Sequence, residues 1–204
     1  MNQIEALRRL RQLDSPAFET RDASALLGVT PANANMILGR LASQQLITHL
    51  SRGRWSARAS LPRFMLPELL ASPSPAYVSM QSALFHRGLI EHIPAVVFAA
   101  TTGKPRRVAT SLGTISFHRL PPELFSGFEV EPDGSRIATA EKALFDMLYL
   151  SPARSRLFAR LPELTIPRIF RWNYLHELVA QVKFPRRRVH IEHRMEQLQH
   201  ARKR

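Results

Sequence analysis

Residues 23–41, Ala23-Ser24-Ala25-Leu26-Leu27-Gly28-Val29-Thr30-Pro31-Ala32-Asn33-Ala34-Asn35-Met36-Ile37-Leu38-Gly39-Arg40-Leu41, read as helix, tight turn, helix. Gly28 supplies the left-handed residue that ends the first helix, Thr30 caps the second, and Pro31 occupies the first helical position, where its missing N–H is harmless. Ala34, Ile37, Leu38 and Leu41 recur at helical spacing and make one apolar stripe. Ser24 and Ala34 are small where the two helices must approach. The first of the pair is expected over Arg21 to Leu27 with Thr20 as its N-cap.

Toward the N-terminus, Ile4, Leu7, Leu10 and Leu13 predict an amphipathic helix over 3–13, stopped by Asp14-Ser15-Pro16. Toward the C-terminus, Gln44 to Leu50 reads as a strand and Ser51-Arg52-Gly53-Arg54-Trp55 as a hairpin turn, with Trp55 a core aromatic at its base. Three helices followed by a basic hairpin give the order of a winged helix-turn-helix, expected over 1–57, whose last helix enters the major groove of double-stranded DNA. Thr30, Ala32, Asn33 and Asn35 are the candidate base-edge contacts, because an asparagine amide pairs with the donor and acceptor of adenine. Arg40 and Gln44 lie nearer phosphate, and Arg52 and Arg54 are placed to clamp the backbone or minor groove. One such module reads few base pairs, so an operator with repeated half-sites is expected. The competing reading is a small helical scaffold that binds protein only.

The formal net charge of +13 and pI near 11.4 favour a polyanionic partner. Basic residues outnumber acidic ones nine to five in residues 1–75 and thirteen to four in 152–204, but seven face seven in 76–151. The surplus therefore sits at the two ends. No apolar run is long enough to span a bilayer, the first residues are polar, and there is no cysteine. A cytoplasmic protein with no membrane partner is expected.

Residues 58–76, with Pro62, Pro67, Pro73 and Pro75, read as a linker holding one short helix. Residues 77–184 read as an α+β domain with a small antiparallel sheet, containing a helix over 80–87 capped by Ser79 and another over 140–150 capped by Thr139. A helix is expected from Trp172 to Val182, and 185–204 reads as a basic helical tail whose Val189, Ile191, Met195 and Leu198 are too sparse to bury a wide face. Arg106 and Arg107 in a basic turn, and Arg186, Arg187 and Arg188 in the tail, are candidate secondary contacts to phosphate or to a partner. The overall fold class is α+β.

Catalytic patterns are weak. Glu141, Lys142 and Asp146 share a helix, and acid–lysine clusters occur in metal-dependent nucleases, where carboxylates hold Mg²⁺ and lysine stabilises charge. The simpler reading is a capped first turn with one ion pair from Lys142 to Asp146. Ser79, Ser82 and His86 have no acidic orienter, and His190 and His193 stand one turn apart without further ligands. There is no phosphate loop and no dinucleotide fingerprint. Neither a metal nor a cofactor is expected, and the chain does not read as an enzyme.

The phrases Tyr77-Val78-Ser79-Met80-Gln81-Ser82-Ala83-Leu84, His86-Arg87-Gly88-Leu89-Ile90, Val97-Phe98-Ala99-Ala100-Thr101, Ile115-Ser116-Phe117-His118-Arg119-Leu120 and Ile137-Ala138-Thr139-Ala140-Glu141-Lys142-Ala143-Leu144-Phe145-Asp146-Met147-Leu148-Tyr149-Leu150 resemble the AbiEi family. The resemblance covers roughly residues 5–151. It implies a regulator from a bacterial phage-defence system, an antitoxin of type IV toxin–antitoxin pairs. Such a protein represses its own operon and neutralises a nucleotidyltransferase-like toxin. Two other readings stand beside it: a regulator without a toxin, and a DNA-acting enzyme guided by the winged helix.

Overall fold

The fold was analysed in a computed structural model that describes residues 2–13, 15–153 and 157–202. Asp14 of the expected helix stop lies outside the described residues, as do the last two residues of the basic tail. The architecture is mixed α and β, with two sheets and eight α-helices among the described residues. None of those helices is long and apolar enough to cross a membrane.

The N-terminal part comprises α1 (Gln3–Leu10), β1 (Phe18–Glu19), α2 (Thr20–Leu27), α3 (Pro31–Ser43), β2 (Thr48–Ser51) and β3 (Arg54–Ser56). Its three strands form an antiparallel sheet in the order β1-β3-β2. Leu10, Phe18, Ala23, Leu38, Leu41, Ile47 and Trp55 make its core. Gly28 takes φ 66°, and the Thr30 hydroxyl accepts from the Asn33 amide at 3.3 Å, so the turn and cap are built as their residue types dictate. The cap of α2 differs from expectation. Glu19 is its N-cap and closes a reciprocal box with Asp22, while the Thr20 hydroxyl accepts from the Trp55 indole N–H at 2.9 Å.

The larger part follows: α4 (Leu66–Ala71), β4 (Ala76–Val78), α5 (Met80–His86), β5 (Val97–Thr101), β6 (Arg106–Thr110), β7 (Gly113–Arg119), β8 (Phe128–Val130), β9 (Arg136–Ala138), α6 (Ala140–Leu150), α7 (Trp172–Ala180) and α8 (Pro185–Arg202). Its sheet corrects the expected small antiparallel one. It has six strands in the order β6-β7-β5-β4-β9-β8, and the pairs β5–β7 and β4–β9 are parallel. Because β6 leaves β5 and returns to pair outside β7, its neighbour β7 lies parallel to β5.

Two expected peripheral segments are core. The linker at 58–76 contains Leu61, Met65, Leu66, Leu69 and Leu70, all buried against the large sheet. Pro67 did not break this segment because it sits in the first turn of α4, where proline is tolerated. The tail is also anchored: Ile191 and Met195 of α8 are buried and pack on α6 and α7. Two residues at one-turn spacing suffice, because α8 only closes a groove between two helices already in place.

The two parts are fused at the C-terminal end of α4. Arg54 of β3 donates to the carbonyls of Leu69, Leu70 and Ser72 at 3.1, 3.2 and 2.9 Å, and Arg106 of β6 donates to Leu70 O at 2.7 Å. The carbonyl end of a helix carries negative potential and unpaired acceptors, so one arginine from each sheet satisfies it. Ser111, beyond β6, also donates to His49 O of β2 at 3.3 Å.

Candidate nucleic-acid interface

Helix α3 turns Ala34, Leu38 and Leu41 into the N-terminal core and leaves the other side bare. Ser24 donates to Val29 O at 2.6 Å, which pins the turn, and the fully buried Ala34 lets α2 come close. Thr30, Ala32, Asn33, Asn35, Arg40 and Gln44 are all exposed. Two further exposed residues, Met36 and Gly39, lie at the centre of this face and were not among the candidates. Their signal was available: each falls one turn from a candidate, off the apolar stripe.

The hairpin contributes one candidate rather than two. Arg52 is exposed at the turn, where Gly53 takes φ 73°. Arg54 instead points into the molecule and holds α4, so the backbone-clamping role expected for it is corrected. Trp55 is buried, lies against the His49 ring at 4.5 Å with the planes tilted by 46°, and anchors the hairpin base.

The secondary candidates divide in the same way. Arg106 and Arg107 are both exposed, but Arg106 is engaged with Leu70 O and lies over the Phe117 ring at 4.8 Å. Arg186 is exposed, Arg187 sits over the Tyr149 ring at 4.6 Å, and Arg188 donates to Val182 O at 2.7 Å. Arg106 and Arg188 thus serve helix ends, and Arg107 and Arg186 remain open to solvent.

Comparison with protein-family models and with curated proteins gives no match.

The titratable clusters are structural in their geometry. Lys142 Nζ lies 2.7 Å from Asp146 Oδ1, and both side chains are wholly buried. Tyr77 and Ser79 donate to Asp146 Oδ2 at 3.0 and 2.6 Å, and Lys142 also donates to Leu124 O at 2.7 Å. Ser79 therefore spends its hydroxyl on Asp146 and does not cap α5 with it, a correction to the expected cap. Burial raises the Asp146 carboxyl above the usual range despite its hydrogen bonds, and burial beside that carboxylate raises Tyr77. Glu141 accepts from the backbone and guanidinium of Arg171, at 2.9 and 3.3 Å. Ser82 accepts from the Phe98 amide at 2.9 Å, and His86 faces Glu131 at 3.5 Å, so Ser79, Ser82 and His86 have three separate engagements. His190 meets Ser151 at 2.9 Å while His193 is exposed. Among the described residues no three His, Asp or Glu side chains are grouped to hold a metal.

His118 on β7 forms a three-ring cluster with Phe98 and Phe158, at 6.0 and 4.9 Å, and shares a 2.9 Å hydrogen bond with Ser116. Burial pushes it down to about 4. The unfolded chain therefore takes up this proton first, near pH 6.5. The stabilising effect of a neutral His118 is complete above that pH and is lost as pH falls toward 4. Urea unfolding should show stability declining across this window, by up to about 1.4 kcal/mol per pH unit from this group. His118→Leu should flatten the decline; an unchanged slope removes His118 as its source.

Proposed function

We propose that the N-terminal part is a winged helix-turn-helix that binds double-stranded DNA, and that the protein is a transcriptional repressor. The observation that carries this reading is the bare outward face of α3, in a part of the chain whose hairpin also leaves Arg52 exposed at its turn. Helix order and hairpin position match a module whose third helix enters the major groove while the wing lies on the backbone. The charge of +13 supports a polyanionic partner. Asn33 and Asn35 supply base contacts, Arg40, Gln44 and Arg52 phosphate contacts, and Thr30 and Ala32 close approach at the helix start.

The resemblance of roughly residues 5–151 to the AbiEi family, carried by the phrases between Tyr77 and Leu150, extends the proposal. The larger part then acts as antitoxin to a nucleotidyltransferase-like toxin, and the DNA bound is the operator of that operon, with repeated half-sites. A nuclease reading gains no support from Glu141 and Asp146, whose oxygens are already bonded inside the protein.

Selection of duplexes from a randomised library by the full chain, followed by anisotropy titration, tests DNA binding. Enrichment of one motif is expected. Affinity should fall by about 10³ between 50 and 200 mM salt if about six phosphates are neutralised. Asn33→Ala and Asn35→Ala should relax the motif, and Arg52→Ala should weaken all duplexes alike. No enrichment, together with salt-independent affinity, overturns the reading. The antitoxin role is tested by co-expression with a neighbouring nucleotidyltransferase-like reading frame, where failure to relieve growth arrest overturns it.

A further inference from the structure

We infer that Met36 reads the C5-methyl groups of thymines in the major groove, and that Gly39 keeps α3 bare so that base edges can reach it. This rests on the DNA-binding reading above and adds the chemical feature that α3 recognises.

Met36 is 55% exposed, whereas Met65, Met80, Met147 and Met195 are all buried. It stands one turn after Ala32 and one turn before Arg40, in the middle of the outward face. Asn33 and Asn35 are two residues apart, about 200° around the helix, so they flank this centre on opposite sides. Ala32, Met36 and Gly39 fill this centre without a carboxylate or an amide, and Arg40, one turn on, is the cation of α3. An unbranched thioether chain held there has one apolar counterpart on the major-groove floor, the thymine methyl.

Gly39 gives the independent observation. Glycine inside a helix lowers stability relative to alanine. Here neither usual reason for it applies: its backbone is not at positive φ, and a Cβ added to it meets nothing within 4 Å beyond its chain neighbours and the backbone of its own helix. No packing inside the molecule requires the missing side chain. Close approach by a partner does, on the same face as Met36.

The test uses the full chain and the tightest duplex from the selection. Each thymine is replaced in turn by deoxyuridine, which keeps the base pair and removes only the methyl. At least one position should bind about three- to fivefold more weakly, the effect of one lost methyl contact. That loss should vanish in Met36→Ala, a substitution that folding tolerates because the side chain is exposed and alanine favours helix. Gly39→Ala should raise Tm by about 2 °C while weakening the same duplex about tenfold. If no deoxyuridine position matters, or if Met36→Ala retains the same sensitivity, the assignment of Met36 falls while DNA binding stands. If Gly39→Ala binds as tightly as the parent, its role falls. A chain that binds no duplex overturns the DNA-binding reading and this inference with it.

Discussion

Lys142→Met is expected to lower the unfolding free energy by about 3–5 kcal/mol, the effect of removing one partner from a buried ion pair. For a chain of this length that is a fall in Tm of about 10 °C. Lys142 and Asp146 are both completely buried, one helical turn apart on α6. Without the ammonium, Asp146 keeps the hydroxyls of Tyr77 and Ser79 but loses its counter-charge, and Leu124 O loses its donor. The double variant Lys142→Met with Asp146→Leu removes both charges and should recover part of the loss. Recovery stays incomplete, because Tyr77 and Ser79 are then buried donors without an acceptor. Urea denaturation at pH 7 measures both; a change below about 1 kcal/mol for the single variant contradicts the closed network.

The same network bears on chemistry. A nuclease carboxylate must offer oxygens to a hydrated metal, which needs room for several oxygen ligands. Asp146 has Lys142 on one oxygen and two hydroxyls on the other, under a helix that is buried on every side from Glu141 to Tyr149. Glu141 is held by Arg171 from the loop before α7. Their geometry is that of groups tying β4, the start of α5 and α6 together.

What was legible in the sequence was local chemistry. Gly28, Thr30 and Pro31 bracket α3 because each acts on its own backbone, so no distant partner had to be known. The Lys142–Asp146 pair was legible for the same reason, being four residues apart on one helix. Its complete burial was not, because that depends on the sheet beneath it and on helices packed later. Strands β4, β8 and β9 are three residues each, too short for any alternation to register. The proline-rich stretch at 58–76 has the composition of a linker, and composition does not show where in a helix a proline falls. Pro67 opens a helix, and the leucines after it belong to the core. Among the surface candidates, the direction of each arginine was hidden. Whether a strand residue faces water or a helix end depends on register and on what lies against the sheet.

Arg54→Ala makes that last distinction measurable, and it is expected to cost about 2–3 kcal/mol of stability. The guanidinium spans three carbonyls at the end of α4, and hydrogen bonds from a charged donor to helix-end acceptors contribute in that range. Leu70 O keeps Arg106 as a donor in the variant, which holds the loss below the sum of three bonds. Arg54→Lys should recover little, since one ammonium cannot reproduce a planar fork reaching three oxygens. Arg52→Ala, two residues away, should change stability by less than about 0.5 kcal/mol, because its side chain is exposed at the hairpin turn. Under the DNA-binding reading the two neighbours therefore separate. Arg52→Ala lowers affinity in a fully stable protein, whereas Arg54→Ala lowers stability and affects affinity through the position of the hairpin on α4. Thermal unfolding and duplex titration of both variants in one buffer decide the matter. If Arg54→Ala keeps its Tm and loses affinity as Arg52→Ala does, Arg54 contacts DNA and the junction is held without it, by Arg106, the Ser111–His49 bond and the burial of Leu50 in the larger core.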